Sequence, residues 1–574
     1  MTAPDTSQPT VTAALVHDII AELTASGAAF EVSETQLDGS TYRAYTNAPA
    51  TVLDVLDAGR GRGAADFLVF EDERWTFEQF FAAVDALATV LHDRLAVAPG
   101  DRVAIAMRNC PDWLIVFAAA VQVGAVVVLI NSWGSRAELE YTLDDCAASV
   151  LAVDLRRAEL IADSPVAAAI PVLFSAVDGP AARSGLTLPP IRELITTGSD
   201  GAVPRVVADP ADVAMLLYTS GSTGRPKGVV YRNVVAGQTL MNMLLTGFVN
   251  MRLGGAGGLG SPGGEAQLIT VPLFHATGLF SGLLLPCVLG HKVVLMRKWD
   301  AATALTLIQT EGVTTLSSVP AIVKDLLTHP AVARHDLSTL IRVSAAGAAT
   351  PVDLPDLLRD KLGIVARAAG YGLTETTTVG ATMSGAVFDL KPLSCGIPSP
   401  IIEIRVEPLD DRSPALSGDG EIQLRGVTVT PGYWRADALT RDAFTSDGWL
   451  RTGDLGHLDD DGFLHISGRS KEIVIRGGEN IAPVEVENAA YLHPGVKEVA
   501  VVGVPDDAMG EELAMVCHPF ADCDLTEAEL RRHLRTVLPK FKVPKHITLT
   551  DTPLPRNASE KIHRFAVRQR LVEG

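Results

Sequence analysis

Tyr218-Thr-Ser-Gly-Ser-Thr-Gly-Arg-Pro-Lys-Gly228 holds four aliphatic hydroxyls, three glycines and two cations in eleven residues. Glycine lets a backbone turn sharply and bring its N–H groups close to a ligand. The hydroxyls add rotatable donors, and Arg225 and Lys227 add positive charge. Such a loop suits the triphosphate tail of a nucleotide. The apolar run Val213 to Leu217 before it reads as a buried strand that feeds the loop. An ordinary P-loop is excluded: that pattern needs G-x-x-x-x-G-K-[ST], but Pro226 stands five after Gly221 and Gly228 follows Lys227. Taken alone the window also reads as a Ser/Gly-rich linker, so its neighbours must decide.

The alternation around the loop gives the fold class. Phe77 to Leu95 reads as a helix with Thr76 and Gln79 as a capping box, and Arg102 to Ala106 as a strand. A buried helix ending near Gln122 and a strand through Ala125 to Ile130 follow. The pattern recurs through Glu138 to Val153, Ala302 to Thr314 and Pro320 to Leu327. Alternating helix and strand is the signature of parallel sheets covered by helices. The expectation is an α/β protein: a large N-terminal domain of parallel-rich sheets over 1–470, with 1–50 as an N-terminal appendage. A small, mobile C-terminal α/β domain spans 471–574, with Val499 to Val504 as strand and Thr526 to Leu538 as helix.

The chain has 574 residues, enough for ~3–4 folding units. Its net charge of −20 argues against a general nucleic-acid binder. Anionic ligands must therefore meet local cationic sites, and the run from Arg531 to Lys545 offers one. Six scattered cysteines show neither a C-x-x-C pair nor zinc spacing. With no signal-like pattern over Met1 to Thr10, a cytoplasmic location is expected. Leu114 to Ile130 is apolar but shorter than the ~20 residues of a membrane span. Gly254 to Gly264 contains G-x-G-x-x-G, but a helix precedes it and a strand follows, the reverse of a dinucleotide site, so it reads as a surface loop.

Four further stretches accompany the loop: Pro272-Leu-Phe-His-Ala-Thr-Gly278, Tyr371-Gly-Leu-Thr-Glu-Thr376, Trp449-Leu-Arg-Thr-Gly-Asp454 leading to Gly468-Arg469, and Leu554-Pro-Arg-Asn-Ala-Ser-Glu-Lys-Ile562. Singly, Asp454 or Glu375 reads as a turn or cap residue and His275 as a core or surface histidine. In this order and spacing the five stretches resemble the adenylate-forming superfamily of acyl-CoA synthetases, peptide-synthetase adenylation domains and luciferases, from about Asp54 to Arg568. Gly477-Gly-Glu-Asn-Ile481 and Pro483-Val-Glu-Val-Glu487 are most similar to the acyl-CoA synthetase branch, with fatty-acid–CoA ligases nearest.

The resemblance implies an ATP-dependent carboxylic acid–CoA ligase that makes acyl-AMP, releases pyrophosphate and then forms acyl-CoA. Thr219, Ser220, Gly221, Ser222, Thr223, Gly224 and Lys227 would hold the β- and γ-phosphates. Tyr371 would stack on adenine, Gly347, Ala348 and Ala349 would line the base, and Thr374 would contact the α-phosphate. Glu375 would bind Mg²⁺, a hard cation suited to carboxylate and phosphate oxygens. Asp454 and Arg469 would reach the ribose, and His275 would gate the acyl pocket. Lys561 would bridge the substrate carboxylate and the α-phosphate. Lys471 would be the hinge, and Gly477 and Gly478 would line a tunnel for CoA.

A mostly apolar acid, fatty or aryl, is expected, because Val271-Pro-Leu-Phe274 and Gly278-Leu-Phe280 offer apolar lining and no Asp follows to hold an ammonium group. The alternative is a stand-alone adenylating enzyme that loads a separate carrier protein. A decayed AMP- or acyl-binding protein is disfavoured by the intact Lys561, Glu375 and Asp454. Glu560 departs from the small residue usual before the lysine, and Tyr231 stands where the superfamily often has His.

Overall fold

The computed structural model describes residues 11–179, 188–197, 205–220, 225–254, 265–345, 354–363, 368–409, 419–520, 523–556 and 561–573. Two six-stranded sheets form its centre. The first runs Pro226–Arg232, Val213–Ser220, Val126–Leu129, Arg102–Ala106, Val150–Asp154 and Val172–Ser175. All its pairs are parallel except the first. The second runs Arg342–Ala345, Thr315–Ser318, Ala266–Ile269, Lys292–Leu295, Asp66–Phe70 and Glu73–Thr76, antiparallel only at its last pair.

Between the sheets lies the segment flagged for its apolarity. Pro111–Gln122 is a helix buried along its whole length, too short to cross a membrane. Proline fits its first turn, where the missing N–H is no loss. Helix Phe77–Thr89 starts at the expected capping box of Thr76 and Gln79. The helical pattern to Leu95 changes at Val90–Arg94 into a π-turn, a backbone register slip that side-chain periodicity does not encode. Val234–Arg252 is long and apolar enough to cross a membrane by length and composition, and half of it is buried inside the protein.

The N-terminal segment is built into this large unit instead of being appended to it. Thr12 caps helix Ala13–Thr24. Val16 and Ile19 share a core with Leu245, Val249, Val387 and Phe388. The Gln238 side chain accepts from Tyr45 N at 2.7 Å and donates to Tyr45 O at 3.0 Å.

From residue 368 onward the architecture changes: Ala368–Tyr371, Ala381–Ser384 and Ile397–Pro398 form a small antiparallel sheet. Ile402–Pro408, Gly420–Gly426, Leu450–Leu458 and Leu464–Arg469 form an antiparallel sheet, so the parallel pattern does not extend to 470. After a short 3₁₀ turn at Ser470–Glu472, Val474–Arg476, Glu479–Ile481, Val496–Asp506, Gly510–Pro519 and His546–Leu549 build a separate sheet. Helices Pro483–Tyr491 and Glu527–Val537 pack on it around Val486, Leu530 and Leu534.

Candidate active site

The two ends of the opening motif lie on antiparallel neighbouring strands of the first sheet, Val213–Ser220 and Pro226–Arg232. Lys227 lies opposite Thr219, and Pro226 opposite Ser220. Gly221, Ser222, Thr223 and Gly224 lie outside the described residues, as do Gly347, Ala348, Ala349 and Glu560. Gly228 is needed for packing: a Cβ there would stand 2.9 Å from the Tyr218 ring. That ring's hydroxyl donates to Asp145.

Thr374 and Glu375 are held against strand Pro226–Arg232. Tyr231, 1 % exposed, donates its hydroxyl to the Thr374 carbonyl at 2.6 Å. Thr430 N donates to the Glu375 carbonyl at 2.7 Å, while Thr430 Oγ1 donates to Val230 O at 2.8 Å. Tyr433 donates to Glu375 Oε1 at 2.8 Å, and its ring lies 5.6 Å from Lys227 Nζ. Burial, then Glu375, pushes the Tyr433 phenol upward, so it stays a donor. Thr377 and Thr378 follow with φ of 54° and 65°. Left-handed backbone at β-branched residues stores strain, ~1–3 kcal/mol each. Among the described residues no group of three or more His, Cys, Asp or Glu side chains could hold a metal. A cation at Glu375 would therefore draw most of its ligands from phosphate and water.

The other end of the cleft is built around Asp454, which is 3 % exposed. It accepts from Tyr371 Oη at 2.7 Å and from Arg469 Nε at 2.9 Å. Arg469 is its cross-strand partner, which sets this geometry. Burial and the Asp454 charge push the Tyr371 phenol far up. Tyr371 is half-buried and Gly372 exposed.

Lys561 belongs to the small C-terminal unit yet faces this end of the large one. Burial, then the Arg469 charge, lowers its pKa, and Asp454 opposes both. Its side chain keeps accessible surface although protein atoms crowd it, as does Arg469 at 60 %. Both side chains stay reachable from solvent where the two units meet. The lysine's loop is pinned where Ile562 pairs with Arg556 and His563 N donates to Pro555 O at 2.7 Å. Arg564 then pairs with buried Glu487 at 2.6 Å and with Glu472 of the 3₁₀ turn at 3.5 Å.

Lys471 lies exposed in that turn. Gly477 and Gly478 form the tip of the hairpin 474–481 with φ of 59° and 89°. A Cβ at Gly478 would meet nothing within 4 Å, so the turn itself calls for glycine and the space beside it is open. His275 stands at the N-cap position of a short helix, Ala276–Leu279, without a side-chain cap bond, its ring centroid 4.4 Å from that of Phe274. The apolar residues beside it are core and not free lining: Leu273, Phe274, Leu279 and Phe280 are all at most 3 % exposed. Asn109 fixes this loop by donating to Val271 O and accepting from Leu273 N.

The structure thus brings Thr219, Lys227, Thr374 and Glu375 to one end and Tyr371, Asp454, Arg469 and Lys561 to the other. Sequence reasoning singled out Tyr231 without giving it a role and missed Thr430 and Tyr433; all three hold Thr374 and Glu375. The signal available for the last two was the Pro-Gly turn in Thr430-Pro-Gly-Tyr-Trp434.

Comparison with known proteins adds a frame to this geometry. The family model described as AMP-binding enzyme matches residues 57–434, and its companion, AMP-binding enzyme C-terminal domain, matches 485–561. A feruloyl-CoA synthase from Amycolatopsis is 34% identical over 496 residues, covering 86% of this chain and 94% of its own. A 2-succinylbenzoate–CoA ligase from Bacillus velezensis is 32% identical over 505 residues, covering 88% and 94%. Among solved structures, the o-succinylbenzoate CoA synthetase of Bacillus subtilis, in complex with its acyl-adenylate intermediate, superposes with TM-score 0.72 at 27% identity. It covers 90% of this chain and 98% of its own.

Proposed function

Because the chain belongs to the AMP-binding enzyme family, we propose that the cleft between Lys227 and Asp454 is where it works as an ATP-dependent acid–CoA ligase through acyl-AMP. The ribose hydroxyls of ATP donate to Asp454, whose charge makes those bonds strong. Adenine stacks on Tyr371, and the β- and γ-phosphates run along Thr219 to Lys227. The α-phosphate meets Thr374. A carboxylate oxygen of the acid attacks the α-phosphorus, and the bond to the bridging oxygen of pyrophosphate breaks. In the second step the CoA sulfur attacks the acyl carbon, its proton is lost to solvent, and AMP leaves.

The nucleophile is the substrate itself, so the protein's task is to hold two anions together and spread the charge that develops. The observation that carries this reading is that Lys561 of the small unit comes within electrostatic reach of Arg469 and the buried Asp454. The role we assign its ammonium is to span carboxylate and α-phosphate. Glu375, aligned by the Tyr433 hydroxyl, suits Mg²⁺ in its donor type. When bound, that ion would neutralise phosphate charge.

Aryl acids are favoured over fatty acids as the substrate, because the relatives named above are ligases of aryl acids. The test offers ferulate, 2-succinylbenzoate, sulfoacetate and octanoate with ATP, following pyrophosphate and then AMP, with and without CoA. Ferulate or 2-succinylbenzoate should release pyrophosphate first and give thioester only with CoA. Pyrophosphate release that never yields a thioester would move the acceptor to a carrier protein.

A further inference from the structure

Lys324 is 4 % exposed, although a lysine ammonium is rarely taken from water without partners. It sits on helix Pro320–Thr328 of the large unit, whose Val323, Leu326 and Leu327 fill that unit's own core. The Lys324 side chain reaches elsewhere. Its Nζ lies 5.4 Å from the Tyr491 ring centroid, 5.1 Å from that of Phe520 and 3.5 Å from Val496 O. All three belong to the small unit: Tyr491 ends helix Pro483–Tyr491, Val496 opens strand Val496–Asp506, and Phe520 follows strand Gly510–Pro519. A bond of 3.1 Å from Phe520 N to Gly495 O holds two of them together.

Two rings and a carbonyl are partners that an ammonium accepts when desolvated. Here they come from the body that also carries Lys561. That body meets the large unit at the turn Ser470–Glu472, where Ile473 and Ala482 pack on Leu455. A further contact outside that hinge resists rotation about it. We propose that Lys324 is a positioning residue that docks the small unit so that Lys561 faces Asp454 and Arg469. Any rotation of the small unit about 470–472 returns Lys324 to water, so the contact favours only the arrangement competent for the first step. The inference rests on the two-step reaction proposed above.

Three variants and two readouts test it. Lys324→Met keeps the apolar stem and loses the charge, Lys324→Arg keeps the charge, and Phe520→Leu removes a ring from the other side. With ferulate and ATP, Lys324→Met should slow pyrophosphate exchange about tenfold, the size of a lost desolvated cation–π contact. Thioester formation from supplied feruloyl-AMP and CoA should be unchanged or faster. Phe520→Leu should match it, the double variant should be no slower than either, and Lys324→Arg should recover most of the rate. Without any acid, trypsin should cut at exposed Lys471 faster in Lys324→Met than in the parent. Equal loss in both half-reactions, or unchanged exchange together with unchanged cleavage, would overturn the proposal. If the parent exchanges no pyrophosphate with any acid of the panel while trypsin still separates the variants, the assigned reaction falls and the docking role stands.

Discussion

The two ends of the cleft are prepared in opposite ways. At the ribose end Asp454 is already paired, to Tyr371 and Arg469, and lies buried. A ligand there adds to or exchanges hydrogen bonds that exist. At the phosphate end the paired groups are the supports: Tyr231, Thr430 and Tyr433 hold Thr374 and Glu375 from behind. The lesson is a division of labour. On the reading proposed above, Asp454 and Tyr371 supply binding that is equal in ground and transition state, while Thr374, Glu375 and Lys561 supply groups whose worth rises as charge develops.

Losing Lys561, which completes the cleft from the small unit, should have the largest effect. Lys561→Ala should lower pyrophosphate exchange by about 10²–10³ and leave thioester formation from supplied acyl-AMP nearly intact. Equal loss in both steps would contradict the assignment. Asp454→Ala comes next. It removes a charged acceptor worth about 1.5–3 kcal/mol, so KM for ATP should rise roughly 10- to 150-fold with a much smaller change in kcat. A pure kcat effect would erase the contrast between the two ends. Tyr433→Phe should behave in the opposite sense. Glu375 keeps its place through the backbone bond to Thr430 but loses about 1 kcal/mol of alignment. Rate titrations should then show a kcat several-fold lower, more Mg²⁺ needed for half-maximal rate, and an unchanged KM for ATP.

A pH profile gives the smallest and most diagnostic signal. Lys561 must be protonated to bridge two anions, and burial with Arg469 beside it lowers its pKa from lysine's ordinary value. The first half-reaction should therefore fall as pH rises through that lowered value, which lies below 10.5. Arg469→Met removes the nearer repelling charge, so the alkaline limb should move to higher pH. Movement to lower pH would place Lys561 elsewhere.

Much of this was legible in sequence because it is local. The capping box at Thr76, the strand Arg102–Ala106 and the five stretches of motif depend on spacings of a few residues. What escaped depends on distance along the chain. Tyr433 meets Glu375 across 58 positions and Tyr231 meets Thr374 across 143. No periodicity announces either contact. The N-terminal helix read as an appendage because the surface it covers, near Leu245 and Val249, lies over two hundred residues downstream. The apolar run around His275 read as acyl lining, yet a single sequence cannot tell a residue facing a ligand from one facing the core. Lys324 read as nothing at all, since a lysine amid Val323 and Leu326 differs from a solvated one only by what another domain sets against it.

The account's central claim is that ATP lies between these two ends with a lysine from the small unit at its α-phosphate. A crystal structure with ATP and Mg²⁺ tests that directly. It should show both ribose hydroxyls on Asp454, the β- and γ-phosphates against Thr219 to Lys227, and Lys561 Nζ within hydrogen-bond reach of an α-phosphate oxygen. A nucleotide bound away from Asp454, or one whose α-phosphate no lysine approaches, would contradict it.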